Sequence, residues 1–330
     1  MIGELADSFD DSATGVAESA WGGNLQLRNV LCPVDLSKVS RSALQVAARI
    51  AAHFQARLYV QHTFDLPPNL ARESSGESLR IEDLPPELQS QEVELRELVE
   101  STPSGKAGAI LLLNQGDARR RILEAVKHKG IDLLVIGTNA RKGLSRLLQG
   151  SVTESVIHRA PCPALVLSLS ETAPAQRLPF DPLRLRTIVV PIYFSTNSMR
   201  LLVYALRWAG SGDCKVILFH AVPTAPPTLE RLSDLLPEYG ADLEQRIRDA
   251  LEKMRELAPS SNRFPCPVEC EVRDGDPQEQ ILRFAKEKRA DLIVMGARIL
   301  EGAVGVWGST IAGVVRDGRF PVLAVRHLGQ

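Results

Sequence analysis

The stretch Asp132-Leu-Leu-Val-Ile-Gly137 decides the fold, because it returns 159 positions later as Asp291-Leu-Ile-Val-Met-Gly296. Moving outward, Gly116-Asp117 returns as Gly275-Asp276 at the same offset. At an offset of 158, Asn29-Val-Leu-Cys-Pro-Val-Asp35 resembles Thr187-Ile-Val-Val-Pro-Ile-Tyr193, and Arg57-Leu-Tyr-Val-Gln-His62 matches Lys215-Val-Ile-Leu-Phe-His220. Gly150-Ser151 with Gly308-Ser309, and Pro163-Ala-Leu-Val166 with Pro321-Val-Leu-Ala324, complete six collinear matches. Collinearity at one spacing marks a tandem duplication.

Each copy alternates short apolar runs with amphipathic segments. Val30–Val34, Leu58–His62, Ile110–Leu113, Leu133–Ile136 and Leu165–Leu167 are nearly continuous in apolar residues, as strands buried on both faces require. Between them, Leu44, Ala47, Ala48, Ala51 and Phe54 recur at helical spacing, as do Val93, Leu95, Leu98 and Val99. Ile122, Leu123, Ala125 and Val126 form a third apolar face, with Asp117 as the helix cap. The order β-α-β-α-β-α-β-α-β predicts an α/β fold: two tandem doubly wound five-stranded parallel sheets. The second copy repeats the pattern, with a longer second helix expected from about Thr228 to Leu257.

The chain divides accordingly. Residues 1–26 carry Glu4, Asp7, Asp10, Asp11 and Glu18 with no Lys or Arg, and read as a disordered acidic tail. Residues 27–169 form the first domain, 170–186 a linker containing Pro174, Pro179 and Pro182, and 187–330 the second domain.

Composition narrows the function. Among 330 residues, 39 Lys and Arg nearly cancel 40 Asp and Glu, so no global basic field holds nucleic acid or anionic lipid. Charges and turn residues interrupt every apolar run short of a membrane span, and no secretory signal opens the chain, so the expected compartment is the cytoplasm. Five cysteines, Cys32, Cys162, Cys214, Cys266 and Cys270, suit reduced thiols. Cys266 and Cys270 lack the further ligands of a zinc site and read as thiols at the start of a strand.

Open parallel sheets bind ligands beyond the strand carboxyl ends, where connections diverge. With a strand order of 3-2-1-4-5, that crevice lies between the first strand, ending at Pro33-Val34-Asp35, and the fourth, ending at Gly137. Ser151 and Glu154 form a capping box, so a helix starts there behind Gly150 and presents free N–H groups suited to phosphate.

These residues resemble the universal stress protein family, specifically its nucleotide-binding branch. That branch carries G-x2-G-x9-G-[ST] after the fourth strand and an Asp at the end of the first. Here the string reads Gly137-x2-Ala140-x9-Gly150-Ser151, with Pro33-Val34-Asp35 in the expected place. The resemblance covers both copies and implies an adenine nucleotide alpha hydrolase-like fold. It also implies ATP or a related adenine nucleotide, with a divalent cation such as Mg2+ sharing the phosphate charge, in the first copy. Asp35 would meet the adenine or ribose side, Thr63 would border adenine, and Gly137 would admit the ribose. Gly150, Ser151, Val152 and Thr153 would hold the phosphates.

Ala140 departs from the motif glycine. Were positive φ needed there, an L-residue would cost roughly 1–2 kcal/mol, about a tenfold loss from a micromolar site worth about 8 kcal/mol. The second copy departs further: Tyr193 replaces Asp35, Ile299 the glycine, and its loop is one residue shorter, with Val306 and Trp307 available as apolar fill. One copy is expected to bind and the other to support it. His62 and His220 are expected to hydrogen-bond at strand ends. No nucleophile–base–orienter set stands out, which points away from turnover, and the resemblance implies a stress-response regulator. A non-binding tandem scaffold and a slow ATPase are the alternatives. The resemblance further implies pairing through the edge strands, here Ala164–Leu169 and Val322–Arg326, joining the two domains within the chain or two chains in a homodimer.

Overall fold

A computed structural model describes residues 25–64, 85–102, 108–139, 152–169, 180–195, 198–210, 213–223, 237–258, 266–297 and 309–326. The first copy runs β1 (Asn29–Pro33), α1 (Lys38–Phe54), β2 (Arg57–Phe64), α2 (Pro86–Glu100), β3 (Ile110–Gln115), α3 (Ala118–His128), β4 (Leu133–Asn139), α4 (Val152–Arg159) and β5 (Ala164–Leu169). The second runs β6 (Thr187–Pro191), α5 (Ser198–Ala209), β7 (Lys215–Val222), α6 (Pro237–Leu257), β8 (Val268–Asp274), α7 (Pro277–Glu287), β9 (Leu292–Ala297), α8 (Ser309–Asp317) and β10 (Val322–Arg326). The helix expected from Thr228 is described only from Pro237; the residues before it, and most of the acidic tail, lie outside the described residues.

Each half has the expected order, β3-β2-β1-β4-β5 and β8-β7-β6-β9-β10, and is parallel throughout. The halves are not separate sheets. β5 and β10 pair antiparallel, Leu165 opposite Leu323 and Val166 opposite Val322, giving one ten-stranded sheet. Ala164–Leu167 and Val322–Val325 are essentially inaccessible to solvent, so each copy would expose a strongly apolar edge without the other. Arg326 Nη1 reinforces the seam, donating to the Arg159 carbonyl at 2.9 Å.

Runs that are continuous in sequence divide alternately between two core layers. Val30, Cys32 and Leu165 join the layer under α1, α2, α5 and α6, whereas Leu31, Ala164 and Val166 join the layer under α3, α4, α7 and α8. Both layers cross the boundary between copies, with α4 packing on β10 and α8 on β5. Part of the expected linker belongs to the core: Phe180 and Leu185 are buried in the first layer, and Asp181 pairs with Arg49 at 3.5 Å.

The aspartates that open the two matched stretches have a definite task. Asp132 Oδ2 accepts from the Arg28 and Asn29 amides at 2.8 and 2.9 Å, fastening the start of β1. Asp291 Oδ2 does the same for Arg186 and Thr187, at 2.8 and 2.9 Å. Asp117 and Asp276 cap α3 and α7, accepting from the Arg120 and Glu279 amides at 2.9 Å. Removing the Asp132 carboxylate strands two amides, one of them half-buried. Asp132→Ala is therefore expected to lower unfolding free energy by about 1–3 kcal/mol in urea titrations, with a similar loss for Asp291→Ala.

Candidate functional site

β1 carries the chain to the crevice. Val34, buried just past the strand, donates its amide to the Gln61 carbonyl at 2.8 Å and accepts from His62 Nδ1 at 2.8 Å. His62 is thereby a strand-end crosslink. The chain then turns sharply: Leu36 has φ of 62°, a left-handed conformation costing an L-residue roughly 1–2 kcal/mol. Ser37 follows as the cap of α1, accepting from the Ser40 amide at 3.2 Å.

Asp35 sits in this turn, exposed to solvent. Its Oδ1 accepts from the Ser37 amide at 3.1 Å, and its own amide donates to Ser40 Oγ at 3.3 Å. Partial burial alone would raise the carboxyl, but hydrogen bonds from the Ser37 and Ser40 side chains and nearby amides outweigh it. The group is held below its usual range and is ionised at neutral pH.

The other expected residues divide into two groups. Pro33 ends β1 opposite Gln61, and Thr63, half-buried, lies two residues further along β2 opposite Asn114. Val152, exposed, and Thr153, half-buried, open α4. Ala140, Gly150 and Ser151 lie outside the described residues, as do Ile299, Val306 and Trp307 of the second copy. β1 and β4 are neighbours, and α1 and α4 leave on opposite faces. The structure therefore brings the ends of β1 and β4 together at a switch point.

Gly137 has a use that its sequence position did not announce. A Cβ there would lie 2.7 Å from Val39 Cγ1 and 3.0 Å from the Val39 carbonyl oxygen, so its missing side chain admits the first turn of α1 onto β4. Close helix–strand packing accounts for this glycine with no ligand invoked.

The second copy keeps the backbone and changes the side chains. His220 Nδ1 meets the Ile192 carbonyl at 2.8 Å, and Phe194 repeats the left-handed turn with φ of 47°. Burial holds the His220 imidazole below its usual pKa, so it is neutral at pH 7. Tyr193, in the place of Asp35, reaches across to the first turn of α8 and donates from its hydroxyl to Thr310 Oγ1 at 3.0 Å. Burial, assisted by Asp276, raises the phenol, which stays protonated. The rings of Tyr193 and Phe194 stand against His220 at centroid distances of 6.5 and 4.6 Å. An aromatic bridge thus spans the second crevice. The sequence registered the replacement of Asp35 by Tyr193 but not the bridge, since a contact between residues 193 and 310 leaves no local signature. The Ser37–Ser40 support of Asp35, by contrast, was open to reading as a Ser-x-x-Ser cap.

Among the described residues no cluster of His, Cys, Asp or Glu is placed to hold a metal ion, and no helix is long and apolar enough to cross a membrane. Cys270 lies on β8, and burial raises both its thiol and that of Cys266.

The family model described as the universal stress protein family matches residues 26–168 and again 184–326. A universal stress protein of Methanocaldococcus jannaschii is 33% identical over 146 residues, covering 44% of this chain and 84% of the relative. One of Thermus aquaticus is 31% identical over 42% of this chain and 98% of its own length. The solved structure of a universal stress protein from Archaeoglobus fulgidus aligns over 92% of this chain and 98% of its own, with a TM-score of 0.62 at 20% identity, a likeness of fold.

Two outcomes follow from this geometry. Gly137→Ala is expected to cost about 1–3 kcal/mol by forcing Val39 away, with part recovered by adding Val39→Ala, as read by chemical denaturation. Because the Asp35 pKa is depressed in the folded state, its stabilisation is present above the unfolded value near about 3.9 and is lost as pH falls through the lower folded value. The stability difference between the native chain and Asp35→Asn should therefore persist at pH 6–7 and vanish in acid, as read by denaturation across pH.

Proposed function

The chain belongs to the universal stress protein family, carrying the family's domain twice, and on that premise we propose that its first copy binds ATP or a related adenine nucleotide. The observation that carries this reading is the contrast between the two crevices. In the second, Tyr193 closes the gap to Thr310; in the first, the same position holds an ionised, solvent-facing Asp35 on a braced turn.

In this reading the Asp35 carboxylate accepts from hydroxyls on the nucleoside side, where a charge-assisted bond is stronger than a neutral one. The start of α4 offers the amides of Val152 and Thr153, and the positive end of the helix dipole, to phosphate. Gly150 and Ser151 complete that cradle, Thr63 borders the base, and a divalent cation such as Mg2+ shares the phosphate charge. Occupancy would then bias the chain's conformation, the behaviour of a cytoplasmic stress-response regulator.

Calorimetric titration of the full chain with ATP and Mg2+ tests the reading. Asp35→Ala is expected to weaken binding by about ten- to a hundredfold, the equivalent of a lost charged hydrogen bond of about 1.5–3 kcal/mol. Equal affinity in the variant removes Asp35 from the site, and no heat from the native chain overturns the proposal.

A further inference from the structure

Duplication supplies an internal control for every surface, and one surface differs sharply between copies. In the first copy a groove of about 710 Å³ runs between α3 and α4. Arg119, Arg120, Lys127 and Arg159 line it, against two carboxylates, Asp117 and Glu124. Those carboxylates are engaged: Asp117 pairs with Arg119 at 2.9 Å, and Glu124 is shared by Arg120 and Arg121 at 3.5 and 3.0 Å. Lys127 and Arg159 have no acidic partner among the described residues.

The corresponding surface of the second copy is shut and differently charged. Gln278 replaces Arg119, Glu279 replaces Arg120 and Asp317 replaces Arg159, while Lys286 keeps the place of Lys127. Gln278 Nε2 donates to Asp317 Oδ2 at 2.7 Å. Its side chain lies so close over Gly313, the counterpart of Ser155, that a Cβ there would collide with Gln278 Oε1. An open cationic groove in one copy and a closed, partly acidic surface in the other point to an anionic occupant of the first alone.

The chain carries such an occupant. Residues 1–24 lie outside the described residues and hold five carboxylates, Glu4, Asp7, Asp10, Asp11 and Glu18, with no Lys or Arg. The segment joins the folded part at Leu25, in the core layer opposite the groove, and the chain passes the end of α3 four residues later. Asn29 Nδ2 donates to the Gly130 carbonyl at 3.1 Å, so the chain enters β1 beside the end of α3, within three residues of Lys127. Extended chain from Leu25 reaches up to about 24 Å at Glu18 and about 72 Å at Glu4, so the more distant carboxylates in particular can round the end of the sheet from the opposite core layer, where Leu25 is buried.

We propose that the acidic amino-terminal segment, residues 4–18, docks in the α3–α4 groove of its own chain, its carboxylates facing Lys127 and Arg159. Tethering keeps the carboxylates near the groove at roughly millimolar effective concentration, so weak ion pairs suffice to populate the docked state. The proposal is independent of nucleotide binding.

Zero-length carbodiimide coupling of carboxylates to amines in the full chain, read by peptide mass spectrometry of the monomer fraction, tests it. Lys286 serves as the matched exposed amine. Coupling of the segment to Lys127 is expected to exceed coupling to Lys286 by roughly fivefold at low salt and to fall to parity in 1 M NaCl, where the Debye length is about 3 Å. Arg159→Glu, an exposed change that leaves the Lys127 amine in place, should reduce the Lys127 product severalfold. Equal coupling at both lysines, product confined to chain dimers, or a product indifferent to salt and to Arg159→Glu would each overturn the proposal. The first outcome leaves the groove for an acidic partner, the second for the segment of another chain.

Discussion

Antiparallel pairing of β5 with β10 is the constraint on which the rest of the molecule depends. A parallel α/β half-sheet of this order ends in a strand apolar on both faces, and such an edge is an aggregation hazard unless another strand covers it. Duplication meets that need inside one chain: each copy supplies the strand that closes the other. The pairing is antiparallel, so the strands of the two halves run in opposite directions, and their carboxyl ends lie at opposite ends of the sheet. The crevices at Asp35 and Tyr193 therefore open away from each other. Communication between them has to pass through the shared layers of core, where α4 rests on β10 and α8 on β5.

Divergence between the copies follows from that arrangement. Once the seam is satisfied by backbone and apolar side chains, residues at the crevices are free to diverge without disturbing the fold. Asp35 with its serine bracing and Tyr193 with its bridge to Thr310 stand on the same turn, between the same strand and helix positions. The α3–α4 and α7–α8 surfaces diverged in the same way, through Arg119 and Gln278, and through Arg159 and Asp317.

Much of this was legible in the sequence because it is periodic or local. Strand runs such as Val30–Val34 and Leu133–Ile136, the caps at Asp117 and Asp276, and the duplication itself are recorded in residue order or spacing. What escaped was long in sequence. Asp132 fastens the start of β1 across a separation of 103 residues, and Tyr193 reaches Thr310 across 117. Patterns of burial say which face a residue takes but not which amide or hydroxyl it will find there. Gly137 illustrates the same gap. Its motif position suggested ligand access, whereas the space beside it holds the first turn of α1, a fact that depends on where Val39 falls in three dimensions. The join of two half-sheets through Ala164–Leu169 and Val322–Arg326 came from the family resemblance, while its antiparallel sense is a property of geometry.

The left-handed turn at Leu36 and Phe194 carries one more consequence. Neither residue is a glycine, and the turn is kept in the copy whose crevice is bridged as well as in the one left open. Strain retained in both copies, whatever side chains surround it, belongs to the architecture: it is what bends a strand into a helix at this corner. The two copies have repainted the walls of this corner while leaving its frame upright, and so far as that turn is concerned either crevice could be converted into the other through side chains alone.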